Sequence, residues 1–105
     1  MRIVLSTCKP EEAEMIADTL LEERLIASCN IIPNVTTKVR FKGEALTQSE
    51  TLLIMRTRAG YIWKLERRLT ELSSFEVPEV ASLTMKEWNA AYYNWLYKAT
   101  ERKEE

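Results

Sequence analysis

"SCNIIPNVTTKVRFKGEALTQSETLLIMRT", Ser28 to Thr57, decides how the rest of this chain is read. Val35, Thr37, Val39 and Phe41 alternate with Thr36, Lys38, Arg40 and Lys42, the period of a strand with one dry face and one basic face. Pro33 donates no ladder hydrogen bond, so a strand from Ser28 to Lys42 must have it at an edge or a bulge, and is bent there. Lys42-Gly43 and Thr47-Gln48-Ser49 bracket a turn, and "ETLLIMRT", Glu50 to Thr57, has the apolar content of a buried strand. The two strands form one long hairpin. A strand of that length overshoots the ~5–6 residues usual in globular sheets, and its surplus backbone groups need a partner. The expected partner is a second copy of the chain, in a homo-oligomer built by strand addition.

The flanks complete the pattern. Ile3-Val4-Leu5 is a short β-branched and apolar run suited to a first strand. Pro10 opens a helix with Glu11 and Glu12 at the positive end of its dipole. Ala13, Ile16, Ala17, Leu20, Leu21 and Leu25 then draw one stripe on a helix from about Pro10 to Arg24. Beyond the hairpin, Ile62, Leu65, Leu69 and Leu72 mark a second helix, with Lys64, Glu66, Arg67 and Arg68 on its wet side, ending at Ser73-Ser74. "FEVPEV" is a loop, Val80 to Leu83 a fourth strand, and Trp88, Ala91, Tyr92, Trp95, Leu96 and Ala99 the stripe of a last helix. The tail from about Glu101 to Glu105 is expected to fray.

The order β-α-β-β-α-β-α is that of an α+β protein. Its first six elements form the ferredoxin-like split βαβ sandwich, to which a C-terminal helix is added, in a single domain over residues 1–105. Right-handed crossovers place the first two helices on one face of the sheet. The other face is left bare, to be covered by the last helix or by other subunits.

Composition narrows the function. Hydrophobic residues make up 46% of the 105, with only two Gly and three Pro, as in an ordered globular protein. Fifteen Lys and Arg against 16 Asp and Glu leave a net charge of -1, which supplies no global field for a polyanion. No apolar run approaches the roughly 20 residues of a membrane span, and "MRIVLSTC" is too short in its apolar core for a secretory signal. Two cysteines, Cys8 and Cys29, and no export signal point to free thiols in the cytoplasm. Histidine is absent, so Ser-His and Cys-His nucleophile pairs are ruled out. Two glycines leave little for a phosphate loop, and the expectation is a protein that is not an enzyme.

Four stretches carry a further resemblance. "EERLIASCNIIPNVTTKVRFKGE" resembles E-[KR]-R-L-A-A-C-x-N-x-I-P-G-x-T-S-x-Y-x-W-x-G-K, and "SETLLIMRT" resembles S-E-x-x-[LM]-x-[IL]-K-T. "FEVPEV" resembles H-P-Y-E-x-P-E-[IV], and "YYNWL" resembles Y-x-x-W-[IVL]. In order and spacing, from about Ile3 to Thr100, these look like the divalent-cation tolerance protein CutA family. The resemblance implies a ferredoxin-like subunit in a tight homotrimer, its long hairpin joining neighbouring sheets, and an association with copper tolerance and metal response. It also implies a copper-binding thiol at the end of the first strand, matched by Cys8 if the following loop is one residue shorter than usual, and a His pair that here reads Ser73 and Ser74. The family's Ala-Ala-Cys becomes Ala27-Ser28-Cys29, its Gly after the proline becomes Asn34, and its hairpin Trp becomes Phe41.

The candidate sites follow. Copper or another divalent metal would want three converging ligands, whereas Cys8 and Cys29 lie far apart in sequence; the alternative is that both thiols pack as small hydrophobes. Glu76 and Glu79 flank Val77-Pro78, and alternation sets Phe75, Val77 and Glu79 on one side with Glu76 on the other, so a shared cavity is not the default. The residues alone leave them capping or facing water, while the resemblance implies a place near a cleft between subunits, where one of them meets Arg56 or Lys38 of a neighbour, or a ligand. The row Lys38, Arg40, Lys42 lacks interleaved aromatics for base stacking, which favours solvation or intersubunit pairing over nucleic acid. Tyr92 and Trp95 suit packing at a half-wet subunit cleft, since each has a polar handle. Two readings stay open: a binding or scaffold module tied to metal tolerance, and a small-molecule sensor or enzyme with its pocket between subunits.

Overall fold

The computed structural model describes residues 1–102. Strand β1 (Arg2–Cys8) leads through a 3-10 turn (Pro10–Glu12) into helix α1 (Ala13–Glu22). Strands β2 (Ser28–Phe41) and β3 (Glu44–Thr57) form the long hairpin. A second 3-10 turn (Ala59–Tyr61) opens helix α2 (Ile62–Leu72), followed by strand β4 (Ala81–Thr84) and helix α3 (Ala90–Ala99). The strands make one sheet in the order β2-β3-β1-β4, antiparallel throughout. With this chain order, that is the split βαβ arrangement.

The core lies between one sheet face and the two helices. Val4 and Cys8 of β1, Leu53 and Met55 of β3, Ile16 and Leu20 of α1, and Leu65 and Leu69 of α2 are buried together. Each such aliphatic side chain contributes ~1.5–3 kcal/mol on leaving water, so the apolar stripes of the helices decide which face they take. α1 stops before the expected Arg24. That residue turns left-handed (φ 60), Leu25 N–H donates to the Leu20 carbonyl and Arg24 N–H to that of Leu21, both at 3.0 Å. These bonds satisfy carbonyls that the helix end would otherwise orphan. α3 begins after the expected Trp88, because Asn89 caps it: its side-chain oxygen accepts from Tyr92 N–H at 2.7 Å.

The hairpin is bent at the proline, as its chemistry requires. The β2–β3 register shifts between Ile32 and Val35, with Asn34 at φ 62. This bulge resets the alternation, so Val35, Thr37, Val39 and Phe41 share a face with Ser28, Asn30 and Ile32 rather than with Cys29. The turn is Lys42-Gly43 alone, at φ 52 and 81, whose paired left-handed residues suit the twist of a two-residue hairpin loop. Thr47, Gln48 and Ser49, expected to flank the turn, lie within β3 opposite Lys38, Thr37 and Thr36.

Ile3, Leu5, Leu52, Ile54, Ala81 and Leu83 sit on the face away from α1 and α2. α3 does not close that face: Leu83 stays 50% and Ile32 41% exposed. α3 docks instead by its C-terminal end, where Leu96 and Thr100 are buried and Tyr61 Oη donates to the Thr100 carbonyl. Of the tail expected to fray, Arg102 donates through its guanidinium to the Glu23 carbonyl. Residues 103–105 lie outside the described residues.

Candidate functional site

Beyond the bulge the hairpin runs out as an arm, and the loop after α2 lies against its open face. Between them is a cavity of about 290 Å³, walled by Val39, Phe41, Phe75 and Val77, with Thr7, Thr37, Gln48, Glu50, Glu76 and Glu79 as its polar groups. The bulge makes it: without the parity change, Thr37, Val39 and Phe41 would face the other way. Glu50 is only 4% exposed, and Thr37 Oγ1 donates to its Oε1 at 2.9 Å. At the rim, Lys42 Nζ stands 3.3 Å from Glu76 Oε1 and 5.4 Å from the centre of the Phe41 ring.

The sequence-derived candidates separate. Glu76 and Glu79 line the same cavity despite their opposite places in the alternation, because the loop is not a strand and its side chains are not bound to period two. Within the chain, the cation beside Glu76 is Lys42. Lys38 lies on the arm's other face and donates to Thr47 Oγ1 at 3.2 Å. Arg56 is at the far end of the open face, donating to Ser28 Oγ at 3.3 Å and to Asn30 Oδ1 at 2.7 Å. Tyr92 and Trp95 pack along α3, where Tyr92 stacks on Trp88 with centroids 5.2 Å apart and tilts against Trp95 at 5.3 Å.

Cys8 is 1% exposed in the helix-side core. Burial, reinforced by the charges of Glu12 and Glu50, pushes its thiol up to about 11. Cys29 is half-buried against the same core; burial and then Cys8 push it to about 11, with Arg56 opposing. Both thiols are protonated near neutrality, while a soft metal binds thiolate. Among the described residues, no three His, Cys, Asp or Glu side chains converge on a metal position.

Glu50 is the site residue that the sequence reading passed over. Its signal was a lone acid at the head of an apolar strand, in register with Val35. Reading that signal required knowing on which side of Pro33 the parity changes.

Residues 2–99 match the family described as the CutA1 divalent ion tolerance protein. The chain is 39% identical over 99 residues to the divalent-cation tolerance protein CutA of Thermus thermophilus, covering 93% of this chain and 96% of that relative. It is 32% identical over 96 residues to protein CutA of Mus musculus, covering 90% of this chain but 54% of the mouse protein, so it spans about half of that relative's length. Among solved structures, that of the divalent cation tolerance protein Cut A1 from Thermus thermophilus superposes with a TM-score of 0.91 at 38% identity, over 96% of this chain and all of that one. With the sheet order, the bulged hairpin and the family match in agreement, the chain belongs to the CutA divalent ion tolerance family.

Proposed function

We propose that this chain acts in the cytoplasm as a homotrimeric, non-enzymatic binding or scaffold module linked to tolerance of divalent metal ions, copper in particular. The protruding arm carries this reading. Val39 and Phe41 are 38% and 39% exposed there, and on the apolar open sheet face Ile32 and Leu83 are 41% and 50% exposed. Large apolar patches of this kind are unfavourable in water unless another surface meets them, and three copies that lay arm against neighbouring sheet would meet all of them at once. Copper, if bound at Cys8, must displace a proton from a buried thiol, so binding is expected to weaken as pH falls. Calorimetry with copper and zinc ions on wild type and Cys8→Ala tests the metal link. Stoichiometric micromolar binding that is lost in the variant supports it; equal binding by the two proteins removes Cys8 from the site.

A second reading is favoured by the cavity itself: a small-molecule sensor, or an enzyme, whose pocket is completed at the subunit interface. Concave, mostly apolar walls with a few converging polar groups are the usual form of such sites. A small molecule that raises the melting temperature while metal ions do not would favour it.

A further inference from the structure

We propose, resting on the reading of this cavity as a small-molecule site, that its ligand is an organic cation: a protonated amine with a short apolar body, its ammonium held by Glu50. Every charged group in the wall is a carboxylate, Glu50, Glu76 and Glu79, while Val39, Phe41, Phe75 and Val77 supply the apolar surface. An anionic ligand would meet repulsion from all three, with the Lys42 ammonium at the rim already engaged by Glu76.

Glu50 is the distinctive member. A carboxylate that is 4% exposed has given up most of its hydration, which is unfavourable unless donors replace it. The Thr37 hydroxyl serves Oε1. Oε2, which takes no hydrogen bond from the described residues, is not shut off from water but opens on the cavity. An ammonium entering the cavity would replace that water with a charge-assisted bond. The rim already displays this chemistry with the chain's own cation: the Lys42 ammonium lies between the Glu76 carboxylate and the Phe41 ring. Glu50 and the exposed Glu79 have no such partner among the described residues.

A metal ion suits the same walls poorly. The carboxylates do not converge as a ligand group, and hard cations need several oxygens within ~2.6 Å. An alkylammonium needs one carboxylate for its head and gains from the valine and phenylalanine surface along its body. The volume, about 290 Å³, limits that body to a short chain or a single ring.

The test uses the full chain in an amine-free phosphate buffer, titrated by calorimetry with n-pentylammonium, n-pentanol and pentanoate, which carry five carbons each and differ in the charge of the head. The ammonium is expected to bind about tenfold or more tightly than the alcohol, the factor a charge-assisted bond supplies, and pentanoate not measurably. Glu50→Gln should abolish the preference for ammonium while leaving alcohol binding within about twofold, since the apolar walls are untouched. Glu79→Gln, checked for folding by circular dichroism, gives a second readout should the Glu50 variant not fold, and should reduce the preference less. Alcohol or pentanoate binding as tightly as the ammonium, with amide shifts at Thr37 and Phe75, would overturn the cation and leave the small-molecule site standing. Binding of none of the three overturns both. Zinc binding that Glu50→Gln abolishes would replace the amine with a metal.

Discussion

Arg68 clasps Glu23 with two nitrogens, Nε to Oε1 at 2.9 Å and Nη2 to Oε2 at 2.7 Å, and so fastens α2 to the end of α1. The hydrogen bond from Arg68 holds the Glu23 carboxyl below its ordinary 4.5, against a smaller opposing push from burial. A carboxyl lowered in the folded state is protonated first in the unfolded chain, so its stabilisation is full above about 4.5 and is lost as pH falls through the lower folded value. Arg68→Ala should therefore lower the melting temperature near neutrality, with the gap from wild type closing as pH falls below about 4.5. A gap that stays constant in thermal melts across that range would contradict the assignment. Helical spacing put Arg68 on the wet side of its helix, but it had no means of naming Glu23, far away in sequence. Asn34 is the opposite case. It stands where the resembled family has Gly, asparagine tolerates left-handed geometry, and φ is 62. Asn34→Gly should be tolerated, whereas Asn34→Val should cost about 1–2 kcal/mol in denaturant unfolding, because a β-branched side chain is crowded in that conformation.

Helix α3 hangs on Arg58. The guanidinium donates through Nε to Thr100 Oγ1 at 2.8 Å and through Nη2 to the Tyr97 carbonyl, and lies between the rings of Tyr61 and Tyr97, 5.2 and 4.6 Å from their centres. Arg58→Ala should cost about 1–3 kcal/mol and speed amide exchange along α3 while leaving β1 and β3 protected. Uniform acceleration over the whole chain would mean that α3 and the sheet open together. The apolar stripe showed that such a helix exists, and overshot its start. Trp88 keeps the stripe's period by stacking on Tyr92 from outside the helix, while Asn89 sets the first turn through a hydrogen bond that periodicity does not see. In the hairpin the length of β2 and the bend at Pro33 are local chemistry and were legible, whereas the turn closes at Lys42-Gly43 alone and β3 begins at Glu44 rather than at the expected Glu50.

At the scale of the whole molecule, the chain measures 44 × 31 × 21 Å, and the arm's exposed Val39 and Phe41 are surface that its own core cannot use. If three copies share these surfaces, folding and assembly are linked, and the melting temperature should rise with protein concentration. Light scattering should then report three times the mass of one chain. A melting temperature unchanged over about a hundredfold dilution, where linkage predicts a shift, would count against the trimer.

The sequence by itself determined the elements, their order and the family, because period, caps and turn residues act over a few positions of chain. It also determined that the long hairpin is bent, since proline lacks a donor wherever it is placed. Only the tertiary structure decided that Glu50, Glu76 and Glu79 share a cavity and that Lys38, Arg56, Tyr92 and Trp95 stand apart from it within the chain. The physical reason lies at Ile32–Val35, where the register shift turns the arm's inner row toward a loop that arrives from the far end of another helix. Which residues meet there depends on two segments packing in space, and no local rule along either one contains that.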